Sequence, residues 1–95
     1  MNKSALVAMV KSLALEYAAK KIRFNAISPS VVNIPLSLKS EYRKNEVAMK
    51  HVLDQHPLGL GEVEDIANAT IFFLSPASKW ITGENLIVDG GYLAK

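Results

Sequence analysis

Few side chains of this sequence could act in catalysis or ligation. It holds no cysteine, which excludes a disulfide framework and any thiolate metal site. His51 and His56 stand five residues apart, a spacing that sets them on different faces of a helix. They therefore read as solvated or capping side chains, and no metal is assigned. Lys3, taken alone, reads as an exposed lysine at the start of a helix. The stretch from Pro29 to Pro35 differs in kind, because it follows a short run of strand character. In open α/β sheets, ligands bind at the C-terminal ends of strands, so this loop is the natural place for a ligand.

The elements that must position these groups follow from apolar periodicity. Leu6, Met9, Val10, Leu13 and Tyr17 recur at three- and four-residue intervals without an intervening Gly or Pro, which predicts a helix from Ser4 to Lys20. Lys20 and Lys21 suit its negative end. Ile22 to Ile27 alternates apolar and polar before turning apolar, and predicts a strand that gives way at Ser28-Pro29. Leu38 to Gln55 reads as a loosely amphipathic helix, ended by the Pro57, Gly59 and Gly61 breakers. Glu62, Glu64 and Asp65 place acids at the start of another helix, which runs to Leu74 and closes at Ser75-Pro76. Glu84 to Asp89 reads as a strand. Its continuous run Leu86-Ile87-Val88 predicts cover on both faces. Strands separated by helices imply a parallel pair with a right-handed crossover.

Composition narrows the function classes. Of the 95 residues, 49% are hydrophobic and 21% charged, which is too apolar for disorder. A chain this short buries only about 60–65% of its unfolded surface, so one domain at most is expected. The net charge of +2 comes from basic residues scattered among acids, and no aromatic-basic cluster accompanies them. A nucleic-acid partner is therefore not implied. The apolar run Ala5 to Val10 is interrupted by Lys11 and Glu16 before any signal cleavage site, and no stretch is long enough to span a bilayer. A cytoplasmic location without a membrane partner is the expectation.

Five ordered blocks carry a further reading: Ser12-Leu13-Ala14-Leu15-Glu16, Ile22-Arg23-Phe24-Asn25-Ala26-Ile27-Ser28-Pro29, Glu64-Asp65-Ile66-Ala67, Trp80-Ile81-Thr82-Gly83-Glu84 and Val88-Asp89-Gly90-Gly91. Together they resemble the short-chain dehydrogenase/reductase family, in register from Asn2 to about Leu93. The resemblance implies an α/β fold, namely the C-terminal portion of a Rossmann-like doubly wound parallel sheet in the order helix-strand-helix-helix-strand. Residues 1–95 would form a single incomplete domain. In that family a Tyr-x-x-x-Lys pair acts with an upstream serine, and Lys3 matches the lysine. The matching tyrosine would stand before Met1, as would the glycine-rich dinucleotide loop. The tyrosine exchanges a proton as hydride moves between nicotinamide and a carbonyl or alcohol carbon, and a nearby ammonium stabilises its phenolate.

By the same resemblance Lys3 is the catalytic residue, and Lys3, Pro29, Ser30, Val32 and Ile34 meet the cofactor. Ser30 stands in place of a glycine, adding a β-carbon where a positive φ would be awkward. Ile34 stands in place of a threonine and so lacks a hydroxyl for the cofactor. Residues 38–55 fall on the family's substrate lid, where Tyr42, Val47 and Met49 face either substrate or ordinary packing. Arg23 and Asp89, on or beside strands that would be neighbours in the family's sheet, either pair across it or stand in solvent at opposite strand ends.

The implied function is that of the C-terminal part of an NAD(P)-dependent oxidoreductase. NAD or NADP and a small carbonyl or alcohol substrate belong to the full-length parent rather than to this chain alone. The alternative is a non-catalytic packing or oligomerisation module, and in either case a homo-oligomer is expected. Residues 1–95 by themselves should expose a strand edge and a helix face. Sedimentation is expected to show self-association, and a sharply melting monomer would contradict it.

Overall fold

The computed structural model describes residues 3–30 and 46–94. Helix α1 spans Lys3–Tyr17 and tightens into a 3-10 turn at Ala18–Lys20. Strand β1 is Ala26–Pro29, helix α2 Glu46–Gln55, helix α3 Val63–Leu74 and strand β2 Asn85–Val88, with a 3-10 turn at Pro76–Ser78 before β2. β1 and β2 form a two-stranded sheet. The Ala26 N–H donates to the Glu84 carbonyl and the Ser30 N–H to the Val88 carbonyl. Donor and acceptor advance together along the chain, so the strands are parallel. The fold is thus α/β, as expected.

The chain divides into two compact units, Met1–Ser28 with Asn68–Ile87, and Pro29–Ala67 with Val88–Lys95. In the first, α1 buries Val10 and Ala14, while Leu6, Leu13 and Tyr17 of the expected stripe are half-buried and Met9 is exposed. The helix exit is made by Lys21, whose φ of 61° supplies the left-handed turn more often given to glycine. Tyr17 then packs on Phe24 with ring centroids 5.3 Å apart.

Arg23 organises this unit. Its guanidinium donates to the carbonyls of Phe73 at 2.8 Å, Ser78 at 2.9 Å and Ile81 at 3.4 Å, and to Ser78 Oγ at 3.0 Å. Phe73 lies in the last turn of α3, where carbonyls lack helical partners and carry the negative end of the dipole, so a cation there caps the helix. Ser78 is fully buried, and its hydroxyl bridges the carbonyls of Phe73 and Ser75. Both members of the Arg23–Asp89 pair considered above have partners within their own units. The guanidinium is spent on backbone, and the Asp89 carboxylate accepts the N–H groups of Gly91 and Leu93.

The residues after Arg23 continue the docking. The Phe24 N–H donates to Thr82 Oγ1 and its carbonyl accepts the Gly83 N–H, while Asn25 donates to the Ile81 carbonyl and accepts the Glu84 N–H. Gly83 has a φ of +76°, and a β-carbon there would meet Ala14 Cβ at 3.4 Å, so the turn sits directly on α1. These bonds explain why β1 begins at Ala26 rather than at Ile22. Residues 23–25 face a loop, and a ladder can start only where β2 does. The strand also runs on through Pro29. The N–H groups of Ala26 and Ser30 point to β2, so those of odd-numbered residues point to the open edge, where a missing donor costs nothing.

Two further expectations are modified. Of the apolar run in β2, Ile87 is 43% exposed, so the described residues do not cover both faces of that strand. The predicted helix from Leu38 is seen from Glu46, with residues 38–45 outside the described residues. α3 begins as anticipated, and the Asp65 carboxylate accepts the Glu62 N–H at 2.7 Å, half of a capping box. No described helix is long and apolar enough to cross a membrane.

Removing the guanidinium takes the charged donor from three carbonyls and a buried hydroxyl, and leaves each carbonyl a single neutral donor, namely the Ser78 hydroxyl, the Ile81 N–H and the Asn25 amide. Arg23→Ala is expected to lower the unfolding free energy by about 3 kcal/mol in urea titration, with Arg23→Lys recovering less than half.

Candidate functional site

The described residues that carry the proposed chemistry lie at the C-terminal end of β1 and at the start of α1. Pro29 is exposed and, by strand alternation, directs its carbonyl to the open edge. Ser30 follows, with its N–H on the Val88 carbonyl at 3.2 Å and its hydroxyl 2.8 Å from His56 Nε2. Lys21 is the sole described non-glycine residue with a positive φ. Ser30 therefore holds an ordinary negative φ, and the strain anticipated from replacing a glycine is absent. Lys3 is the first residue of α1 and is exposed. Val32, Ile34 and Tyr42 lie outside the described residues. Val47 is largely exposed on α2 and Met49 is half-buried.

His56 was expected to be solvated or capping, and it caps. Its Nδ1 lies 2.6 Å from the carbonyl of Val52, in the last turn of α2. The ring is buried and stacks on Tyr92, with centroids 5.0 Å apart and 27° between planes. A carbonyl can only accept, so Nδ1 carries the proton, and in the neutral ring Nε2 accepts from the Ser30 hydroxyl. Ser30, Val52, Gln55, His56 and Tyr92, with the exposed His51, line a cavity of about 360 Å³. Capping was one of the two roles anticipated for His56, but its bond to Ser30 and its stack on Tyr92 were not visible in the sequence. These partners are distant along the chain, and only the break at His56-Pro57 hinted that the histidine ends a helix.

Tyr92 is held by the turn beneath it. The Asp89 carboxylate accepts the N–H groups of Gly91 and Leu93 at 3.0 and 2.9 Å, and the Tyr92 N–H reaches the Asp89 carbonyl. The Leu58 N–H donates to the Gly90 carbonyl at 2.9 Å, joining this turn to the segment that follows His56.

A family model described as enoyl-(acyl carrier protein) reductase matches residues 1–93. The chain belongs to the short-chain dehydrogenase/reductase family. It is 40% identical over 92 residues to a tropinone reductase homologue of Arabidopsis thaliana, covering 96% of this chain and 29% of the relative. It is 41% identical over 95 residues to an NAD-dependent glycerol dehydrogenase of Listeria innocua, covering 99% and 36%. With an L-xylulose reductase of Cavia porcellus the identity is 42% over 94 residues, covering 98% and 38%. Among solved structures, 4-hydroxyisoleucine dehydrogenase complexed with NADH superposes with a TM-score of 0.88 at 33% identity, covering 98% of this chain and 38% of that one. A short-chain dehydrogenase family protein of Francisella tularensis superposes at 0.84 with 37% identity, covering 98% and 42%. The chain thus spans about a third of the length of the curated relatives it matches, and corresponds to the C-terminal part of the short-chain dehydrogenase/reductase fold.

Gly91 has a φ of +94°, and a β-carbon there would come within 3.2 Å of the Pro57 ring. Gly91→Ala is expected to destabilise the protein by about 1–3 kcal/mol and to disturb the Tyr92–His56 stack, seen as a changed near-ultraviolet tyrosine signal.

Proposed function

We propose that this chain forms the C-terminal part of an NAD(P)-dependent oxidoreductase that interconverts a small carbonyl compound and its alcohol. The observation that carries the reading is the match of residues 1–93 to the family, with the matched strand β1 ending at Pro29-Ser30. The relatives named glycerol dehydrogenase and L-xylulose reductase support a small alcohol or carbonyl substrate. The two compact units are then parts of one incomplete domain, in a cytoplasmic homo-oligomer.

The residues present fit a nicotinamide nucleotide. The exposed carbonyl edge of Pro29 and the relaxed backbone of Ser30 leave the strand end open to a ligand. The bound nucleotide supplies or accepts hydride. Pro29, Ser30, Val32 and Ile34 hold its nicotinamide end, Val32 through backbone groups that any residue would provide. Ile34 brings no hydroxyl to bond the nucleotide, which weakens the grip. Lys3, exposed at the start of α1, bonds the nicotinamide ribose and stabilises the phenolate of a neighbouring tyrosine, drawing its pKa toward the working pH. The second reading, a non-catalytic packing module, rests on the wide exposure of Leu15, Leu74 and Trp80.

The test uses the protein as its gene encodes it. It is expected to oxidise NADH or NADPH with at least one small carbonyl compound, and Lys3→Met should lower turnover by about a hundredfold or more. A product that neither binds nor oxidises either nucleotide would overturn the enzymatic reading and favour the packing module.

A further inference from the structure

We propose that His56 is a positioning residue for nucleotide binding, acting through the hydroxyl of Ser30 on the exit of β1. The inference rests on the nucleotide-binding reading above and adds a residue that the resemblance does not supply.

Two arrangements of this chain meet at one hydrogen bond. Ser30 stands where the family resemblance has glycine, and a serine there brings a hydroxyl that glycine lacks. That hydroxyl is 2.8 Å from Nε2 of a ring whose other nitrogen is held at 2.6 Å by the Val52 carbonyl. The ring cannot turn to release Ser30 without breaking the Nδ1 bond and sliding off Tyr92. It is also just 5% exposed, so water does not replace the lost partner freely. With its N–H on Val88 as well, Ser30 is fixed from two sides, by β2 and by the end of α2.

Fixing that residue matters at the end of a strand. A glycine at such an exit gives a pliable backbone, whereas a serine with a negative φ and an anchored hydroxyl presents the preceding Pro29 carbonyl in one orientation. Binding at a pre-ordered backbone loses less conformational freedom, and the gain appears as affinity. His56 touches neither substrate nor cofactor in this scheme. Its part is to hold Ser30, and the tautomer with the proton on Nδ1 is what leaves Nε2 free to accept.

The experiment compares five forms of the gene-encoded protein: the parent, Ser30→Ala, Ser30→Thr, His56→Phe and the Ser30→Ala/His56→Phe double variant. NADH and NADPH affinities are read by fluorescence titration, the ring tautomer of His56 by nitrogen-15 correlation, and folding by urea titration. The parent is expected to show the proton on Nδ1. Ser30→Ala should weaken nucleotide binding roughly two- to tenfold, the worth of one hydrogen bond, and Ser30→Thr should restore it. His56→Phe keeps a ring against Tyr92, and combining it with Ser30→Ala should weaken binding no further than either change alone.

A parent ring protonated on Nε2, or a Ser30→Ala protein that folds and binds nucleotide as tightly as the parent, would overturn the positioning role while leaving the enzymatic reading intact. A parent that binds neither nucleotide would overturn both. If His56→Phe fails to fold, the contrast between Ser30→Ala and Ser30→Thr still decides the matter.

Discussion

The guanidinium of Arg23 is the contact on which the first compact unit depends. One side chain gathers the carbonyls of Phe73, Ser78 and Ile81, and so joins the end of α3, the turn after it and the approach to β2. A cation directed onto backbone carbonyls forms stronger bonds than a neutral donor, and three acceptors in one fork suit the planar geometry of arginine. Once that clamp is closed, Phe24 and Asn25 lie alongside residues 81–84, and the parallel pairing of β1 with β2 follows in a single register. The polar residues before β1 set where the strand begins, and its far end is where the proposed chemistry lies.

The second unit solves a related problem with different groups. Ser30 is tied to β2 through its backbone and to the end of α2 through its side chain, and His56 in turn leans on Tyr92, carried by the Asp89 turn. In both units a side chain near β1 satisfies backbone acceptors in the last turn of a helix, Arg23 for α3 and His56 for α2. The family relationship accounts for the order of the elements.

Much of this was legible in the sequence where periodicity or punctuation is strong. The α1 stripe, the acids opening α3 and the Ser75-Pro76 stop located their helices within one or two residues. What could not be read was where long-range polar bonds displace a ladder. Ile22 to Asn25 has strand character, yet Arg23, Phe24 and Asn25 bond to a helix-end carbonyl, loop carbonyls and a threonine hydroxyl fifty or more residues away. Opposite signs made Arg23 and Asp89 candidates for a pair, whereas Arg23 bonds the helix-end carbonyl of Phe73 and Asp89 bonds the local N–H groups of Gly91 and Leu93. The run Leu86-Ile87-Val88 suggested a strand covered on both faces, while the described residues leave Ile87 open, and such cover depends on neighbours that hydropathy alone does not identify. The stack of His56 on Tyr92 escaped notice for a similar reason, since one histidine and one tyrosine 36 residues apart carry no local signal of it.

The most direct measurement is amide chemical-shift mapping on the nitrogen-15-labelled, gene-encoded protein as NADH or NADPH is added. Changes are expected to cluster at residues 30–34 and at the start of α1 around Lys3, while the amides of residues 73–84, clamped by Arg23, stay in place. Shifts centred elsewhere, or none at saturating nucleotide, would contradict the assignment of the β1 exit as the nicotinamide-facing end of the site.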